Sequence, residues 1–463
     1  MIFQDMAFLG IDLGTGGIRC LLVEDTGKII ADLSRPLKGI NLSSVPGHSE
    51  QDPREWISLL DDVLSELFSR SVCRNVKAIA VDSTSGTILP VSKDGDPLGV
   101  ALLHNDIRAE EEALRCEPVF GSSCSPTFSL PKALWMHSNL NLREDTLFLH
   151  ATDFINCWLV GHTDLPTDST NAMKSGLDLD TGDWSVHLPE VNFPSIVPPG
   201  QVIGEIATTH RTRWGLAEKV KIVSGATDSN AAFYASGAGS PGEWSTTIGT
   251  TLAIKGISQA KVYDPKGRIY CHRHPDGHWL PGGASNAGGE ILRENADSLK
   301  KLDSMKDTHI VPNCLVYPSI RRGERLPFLS SQFQPFFLGD KENFADYLLG
   351  CLEGIAFVEF LSYELLEKLG AFVGDNIYAT GGAASSGLGL QIRANILQKN
   401  LIIPDHPHSA MGAAILASAG FCERKVGDVS KDMVSIKQSL EPNGCRDARR
   451  LEKLAQFREL CDR

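Results

Sequence analysis

Two short strings constrain this chain more than anything else in it. Phe8-Leu9-Gly10-Ile11-Asp12 runs into Leu13-Gly14-Thr15-Gly16-Gly17 and then into a second apolar run at 18–24. Residues 244–257 repeat the form around Ile248-Gly249-Thr250-Thr251. Each reads as strand, glycine turn, strand, which is a hairpin pattern. The two turns stand 249 − 14 = 235 positions apart, about half of the 463 residues. A repeat at that distance predicts an internal duplication with two halves of like architecture. Two turns alone can match by chance, and their place at the head of each half adds weight. The length itself suits two or three domains at roughly 150 residues each.

The rest of the chain alternates strand and helix signals. A second turn at Asp25-Thr26-Gly27 precedes an apolar run at 28–31, so the chain opens as a three-stranded meander. Asp52-Pro53-Arg54-Glu55 predicts a helix start, with Asp52 as N-cap, Pro53 at N1 and Glu55 at N3 of a capping box. Trp56, Leu59, Leu60, Val63 and Leu67 continue at helical spacing. Strands are expected at 76–81 and 220–223, a helix at 230–236, and further strands and helices at 341–369, 376–379, 387–397, 401–404 and 412–420. Such alternation indicates an α/β layer structure. Gly237-Ala238-Gly239-Ser240-Pro241-Gly242 is the best linker candidate, which sets the expected domains at 1–238 and 239–463. Residues 446–463 read as a charged helix with no evident function.

Composition excludes several classes. Lys plus Arg total 44 against 57 Asp plus Glu, a formal charge of −13, which argues against a nucleic-acid binder. It leaves anionic substrates open, because a phosphate site needs only local positive potential. No apolar run reaches the roughly 20 residues of a membrane helix, and the first residues show no signal-peptide pattern. The eleven cysteines are scattered, without a C-x-x-C pair, as expected of free thiols in the cytoplasm.

Four strings carry candidate chemistry. Asp12 with Gly14-Thr15 lets backbone N–H groups approach a phosphate, and a carboxylate there can hold Mg²⁺. Gly249-Thr250-Thr251 repeats the logic with two hydroxyls. A plain hairpin turn needs glycine at both places as well. Asp228, where a strand enters a helix, suits a general base for an attacking hydroxyl, and equally an N-cap. Thr380-Gly381-Gly382-Ala383-Ala384-Ser385-Ser386-Gly387 leaves room for a flat ring or ribose, or is an empty glycine loop. Three further strings read as ordinary structure: His272, His274 and His278 as a surface hairpin, residues 321–325 as a solvated basic loop, and Asn105-Asp106-Ile107-Arg108 as loop polar groups.

As a set these strings resemble the FGGY carbohydrate kinases, of the actin, sugar-kinase and Hsp70 ATPase superfamily. Gly10-Ile11-Asp12-Leu13-Gly14-Thr15 looks like the first phosphate motif and Gly249-Thr250-Thr251 like the second. Thr380-Gly381-Gly382-Ala383 looks like the adenosine motif, with Gly412-Ala413-Ala414 at its usual distance. Glu50-Gln51-Asp52-Pro53 and Trp56 match the acidic loop before the first helix. Asp82-Ser83-Thr84-Ser85-Gly86-Thr87 is similar to the corresponding string of the plant and cyanobacterial D-ribulose kinase branch, formerly called xylulokinase-like. Tyr270-Cys271-His272-Arg273 and residues 282–289 look like that branch too. The chain departs from it at Ser83, His104 and Ser385.

The resemblance implies two actin-like (ribonuclease H-like) α/β lobes with a catalytic cleft between them and a hinge near 237–242. It implies ATP and Mg²⁺, with transfer of the γ-phosphate to a ketopentose, D-ribulose giving D-ribulose 5-phosphate. Asp228 would be the base, Asp12 the metal anchor with Asp228 beside it, and Ser85 with both aspartates would bind the sugar. Gly14, Thr15, Gly249, Thr250 and Thr251 would cradle phosphates, and Gly381, Gly382 and Ser385 would line the adenine pocket. D-xylulose, L-ribulose, ribitol and erythritol are the other acceptors to weigh, and a non-catalytic sugar- or nucleotide-binding role is the rival reading. Homodimerisation is compatible with this set, and neither nucleic acid nor membrane is expected as a partner.

Overall fold

The computed structural model describes the chain except for residues 1–5, 40, 121–123, 186–187, 218, 294, 305–310, 341, 383–385, 445–447 and 462–463. It divides into two compact units. The first comprises Met1–Ala235 and His408–Met433, the second Ser236–Pro407 and Val434–Arg463. The chain thus leaves the first unit two residues before Gly237. The expected second domain, 239–463, is not one body, because residues 408–433 return to the first unit.

That return has a steric cause. The Ser409–Cys422 helix is nearly all small or apolar, and Ala410, Gly412, Ala413, Ala414 and Ala417 are buried. Its backbone lies against the opening strand so closely that a Cβ on Gly10 would fall 1.8 Å from the Ala410 carbonyl oxygen. A Cβ on Gly412 would fall 1.8 Å from the carbonyl oxygen of Ala231. The ring of Phe421 packs 5.9 Å from that of Phe8. Gly412 therefore serves a close helix–helix contact in the first unit.

The first unit is built on a six-stranded sheet. Its order is Val202–Glu205, Lys221–Thr227, Val76–Ser83, Ala7–Gly14, Gly17–Glu24, Ile29–Pro36. The last three form the expected meander. Ala7–Gly14, Val76–Ser83 and Lys221–Thr227 run parallel, so their C-terminal ends share one edge of the sheet. The Pro53–Ser69 helix packs Trp56, Leu60, Val63, Leu64 and Leu67 into the core beside this sheet. Asp52 caps it by accepting from the Arg54 N–H. Glu55 does not close a capping box. Its carboxylate accepts from the backbone N–H groups of Lys38 and Gly39 instead, and so anchors the loop after the meander.

The second unit repeats the scheme. Leu252–Gly256 pairs antiparallel with Trp244–Ile248, which runs parallel to Asn376–Thr380, itself parallel to Asn400–Pro404. Tyr270–Arg273 and Trp279–Ser285 extend one edge, and Ile436–Leu440 closes the other antiparallel. In both sheets a hairpin is followed by two parallel crossovers and ends on an antiparallel edge strand. The duplication expected from the two turns is thus present in the strand order. The 25-residue Phe344–Lys368 helix runs through the second core. Within it the buried Glu359 makes a two-point pair with Arg393 at 2.7 and 2.8 Å. The C-terminal Ala448–Cys461 helix packs Phe457 into the same core. Among the described residues no helix is long and apolar enough to cross a membrane.

Candidate active site

The carboxylates of the first unit gather because three parallel strands end together. Asp12 stands opposite Asp82 in the register of the first two. Ala226 stands opposite Asp82 on the third, two residues before Asp228. Asp12 is partly exposed and its Oδ2 accepts from the Ser409 hydroxyl at 2.8 Å. Asp82 is fully buried, and among the described residues neither carboxyl oxygen has a hydrogen-bond partner of good geometry. Burial, and then the charges of Asp12 and Asp228, push it well above the usual carboxylate range. A buried carboxyl without an opposite charge keeps its proton.

Asp228 opens the Asp228–Tyr234 helix and is partly exposed. Its strand end is pinned by a buried relay. Thr227 N–H donates to Thr170 Oγ1 at 2.8 Å, and Thr170 is held by Asp168 through both its N–H and its hydroxyl. Asp168 also accepts from the N–H and the side-chain amide of Asn171. Asn171 reaches Thr152, whose hydroxyl lies 2.6 Å from that of Ser83. The departure at Ser83 therefore joins the relay behind the site.

The Gly14–Gly17 pair closes the first turn, with Thr15 and Gly16 at its tip. Gln51 props it from behind, donating to the Thr15 carbonyl and accepting from the Trp56 indole. Ser85 is partly exposed and its carbonyl accepts from Lys174. The adjoining loop is structural: buried Asp106 accepts from Ser49 and Arg108, and Arg108 also pairs with Glu50 at 2.6 Å.

The second unit holds different chemistry at the matching place. Gly249, Thr250 and Thr251 form the tip of the hairpin, and Gly289 N–H donates to the Gly249 carbonyl. Arg293 donates to Thr250 Oγ1 at 2.7 Å. Gly381 adopts φ +87°, and a Cβ on it would fall 2.4 Å from the Ile248 carbonyl. Glycine there lets the 380–382 loop lie against the end of the Trp244–Ile248 strand, beside the 249–251 turn. Gly249, Thr250, Arg293, Lys300, Asp303, Gly382 and Ser386 are among the residues around a cavity of about 580 Å³. That volume falls in the range of nucleotide-sized pockets, roughly 300–1,000 Å³. Ser386 caps the Gly387–Leu397 helix and donates to Asp303 at 2.8 Å. Ser385 lies outside the described residues.

Arg293 and Asp303 were not among the residues expected at a site, whereas Asp82 and Ser386 lay within expected strings without a role of their own. Arg293 and Asp303 lie on separate helical segments and had no signal. The histidine string behaves as a hairpin, with His274 buried and pushed down to about 4 by that burial. Among the described residues no group of three or more metal-ligating side chains is poised to hold an ion. The basic run is less solvated than expected, because Glu324 within it is buried and accepts from Ser285, Asn286 and Tyr317.

The chain matches the N-terminal domain model of the FGGY family of carbohydrate kinases over residues 7–234 and the C-terminal domain model over 245–421. It belongs to the FGGY family. It is an ATP-dependent sugar kinase, a phosphotransferase acting on a sugar hydroxyl. The xylulose kinase of Bacillus subtilis (strain 168) is 28% identical over 449 residues, covering 89% of this chain and 88% of that protein. The gluconokinase of the same organism is 23% identical, covering 92% and 90%. The crystal structure of xylulose kinase from Rhodospirillum rubrum superimposes with a TM-score of 0.85 at 22% identity over 98% of each chain. That of Plasmodium falciparum glycerol kinase with ADP gives 0.85 at 17%, over 99% and 98%.

Proposed function

We propose that this kinase phosphorylates a ketopentose at its terminal hydroxyl, with D-ribulose as the preferred acceptor. The observation that carries the reading is the meeting of Asp12, Asp82 and Asp228 at one edge of the first sheet, beside the Ser83–Thr87 loop. Asp228 is partly exposed at the end of a strand that the Thr170 relay pins at Thr227, and its Oδ1 accepts from the Ser229 N–H at 2.6 Å; from there its carboxylate orients the attacking hydroxyl and takes its proton. Ser85 and Asp12 offer further polar groups to the sugar.

ATP is held on the second unit. Gly249, Thr250 and Thr251 offer backbone N–H groups and two hydroxyls to the phosphates, and Gly14 and Thr15 offer the same kind of turn on the first unit. Arg293 and Lys300 carry the positive charge that a polyphosphate requires, and Gly381 and Gly382 leave space for the nucleoside. Mg²⁺ fits the hard oxygen donors of Asp12 and Asp228. Mg²⁺ is usually held by one or two carboxylates with phosphates and water, and it would neutralise charge on the transferring phosphoryl group.

Support for D-ribulose comes from the Asp82–Thr87 string, and the xylulose kinases among the relatives make D-xylulose the first competitor. Coupled ADP release over D-ribulose, D-xylulose, L-ribulose, ribitol, erythritol and glycerol tests the reading. Marked preference for D-ribulose is the expected result. Preference for D-xylulose would move the specificity while keeping the chemistry, and absence of sugar-dependent ADP release would sink the catalytic roles.

A further inference from the structure

Two lysines reach the Ser83–Thr87 loop, Lys132 at the Gly86 carbonyl and Lys174 at that of Ser85, while His104 and Arg108 lie on the 103–108 segment that Lys132 also holds. Lys132 is fully buried and donates to the carbonyls of Gly86 and Leu103. Burial pushes it down to about 7. Arg108 is taken up by Asp106 and Glu50. His104 is pushed down by burial and by Lys132 and Lys174, so it stays neutral. Lys174 is different. It sits on the Met173–Ser175 turn, partly exposed, and its one hydrogen bond among the described residues is a long one, 3.3 Å to the Ser85 carbonyl. No carboxylate of the described residues lies within ion-pair distance of it; burial pushes its ammonium down, the charge of Asp228 opposes that shift, and the Phe128 ring lies 5.9 Å from its Nζ. Gly86, at φ +92°, keeps space open beside it, since a Cβ there would come 3.3 Å from its Nζ. The turn that carries Lys174 is fixed from behind, because Ser175 Oγ lies 2.8 Å from Nε2 of the buried His150, which Asp153 holds at Nδ1.

A lysine ammonium offers three donors and no acceptor. Among sugar oxygens it suits one that only accepts. Hydroxyls both donate and accept, so the carboxylates serve them better. A 2-ketopentose has one acceptor-only oxygen, the C2 carbonyl, and only in its open-chain form. Ring closure consumes that carbonyl and ties up O5, because the five-membered ring forms between C2 and O5. A kinase that phosphorylates O5 must therefore hold the open chain, in which the carbonyl is exposed.

We propose that Lys174 is the specificity-determining residue that donates to the C2 carbonyl of the open-chain ketopentose, and so separates ketoses from the corresponding polyols. The proposal rests on the ketopentose reading above. The test compares D-ribulose and D-xylulose with ribitol in wild type, Lys174→Met and Lys174→Arg. Ribitol is followed both as substrate and as competitive inhibitor, so that it reports whether or not it is phosphorylated. The wild type should bind the ketopentoses at least tenfold tighter than ribitol. Lys174→Met should lose about 10- to 100-fold in kcat/KM for the ketopentoses, the range for a hydrogen bond from a charged donor, and leave ribitol within about threefold. Lys174→Arg should recover part of the loss. If Lys174→Met does not fold, Lys174→Gln gives the same ratio. An unchanged ketose-to-ribitol ratio in the neutral variant would overturn the proposal while leaving the ketopentose reading intact. A wild type that prefers polyols would overturn both. Preference for gluconate, lost in Lys174→Met, would replace the carbonyl by a carboxylate and overturn the proposal as stated.

Discussion

In the first unit the strand–turn–strand motif ends beside three carboxylates, Asp12, Asp82 and Asp228. In the second the same motif, on a sheet of the same strand order, ends beside Arg293 with Lys300 nearby. The hairpins are alike, and what differs is the charge brought up around them. Carboxylates suit a hydroxyl that must lose a proton, whereas a guanidinium and an ammonium suit phosphates. In the proposed function this duplicated scaffold is divided into an acceptor half and a donor half, by Asp12 within the first motif and otherwise by residues outside the repeat.

The division can be broken from either side. Asp228→Asn should give the largest effect, a loss of about 10³-fold or more in kcat with an unchanged unfolding temperature, read by coupled ADP release and thermal melts. Near-normal turnover would remove Asp228 from the role of base. Asp12→Asn should cost on the order of 10²-fold and raise the Mg²⁺ concentration needed for half-maximal rate, as expected for lost charge stabilisation. An unchanged Mg²⁺ titration would count against that. Arg293→Met should act on the other half alone, raising KM for ATP about tenfold with KM for the sugar steady. It should also narrow the affinity gap between ATP and adenosine in calorimetry, and a gap as wide as in wild type would show that the guanidinium does not meet the phosphates. Ser386→Ala should be mildest. It removes a helix cap worth about 1 kcal/mol and the bond to Asp303, so a small fall in melting temperature is expected, with at most a few-fold change in KM for ATP.

The sequence made the repeated part legible and hid much of the divided part. Gly14-Thr15 and Gly249-Thr250 are local turns, and local turns announce themselves through glycine. Asp12 and Asp228 stand at strand ends, where an apolar run meeting a carboxylate can be seen. Arg293 and Asp303 reach their cavity from short helical segments, and only the tertiary path of the chain brings them to the turn and the loop. The Thr170–Asp168 relay was hidden for the same reason, since it links residues 57 positions apart. Glu55 had the right residue type and spacing for a capping box, but two backbone donors of a distant loop claimed it first. The boundary at 239 followed a glycine-rich string, and the leading segment of the first unit ends at Ala235. It could not foresee that a helix of small residues 409 − 239 = 170 positions later would return to the first sheet.

That return sets a timetable for synthesis. When Ala235 has left the ribosome, the sheet of the first unit has all six strands and still lacks the helix that covers Phe8 and Gly10. Residues 236–407, about 170 of them, must be made before it arrives. At roughly 5–20 residues per second that is a wait of about 10–35 s. During that wait an apolar face with a groove shaped for close backbone contact stays open. The nascent first half is therefore a natural client for a chaperone, and a fragment ending near residue 235 should collect in aggregates where the full chain does not.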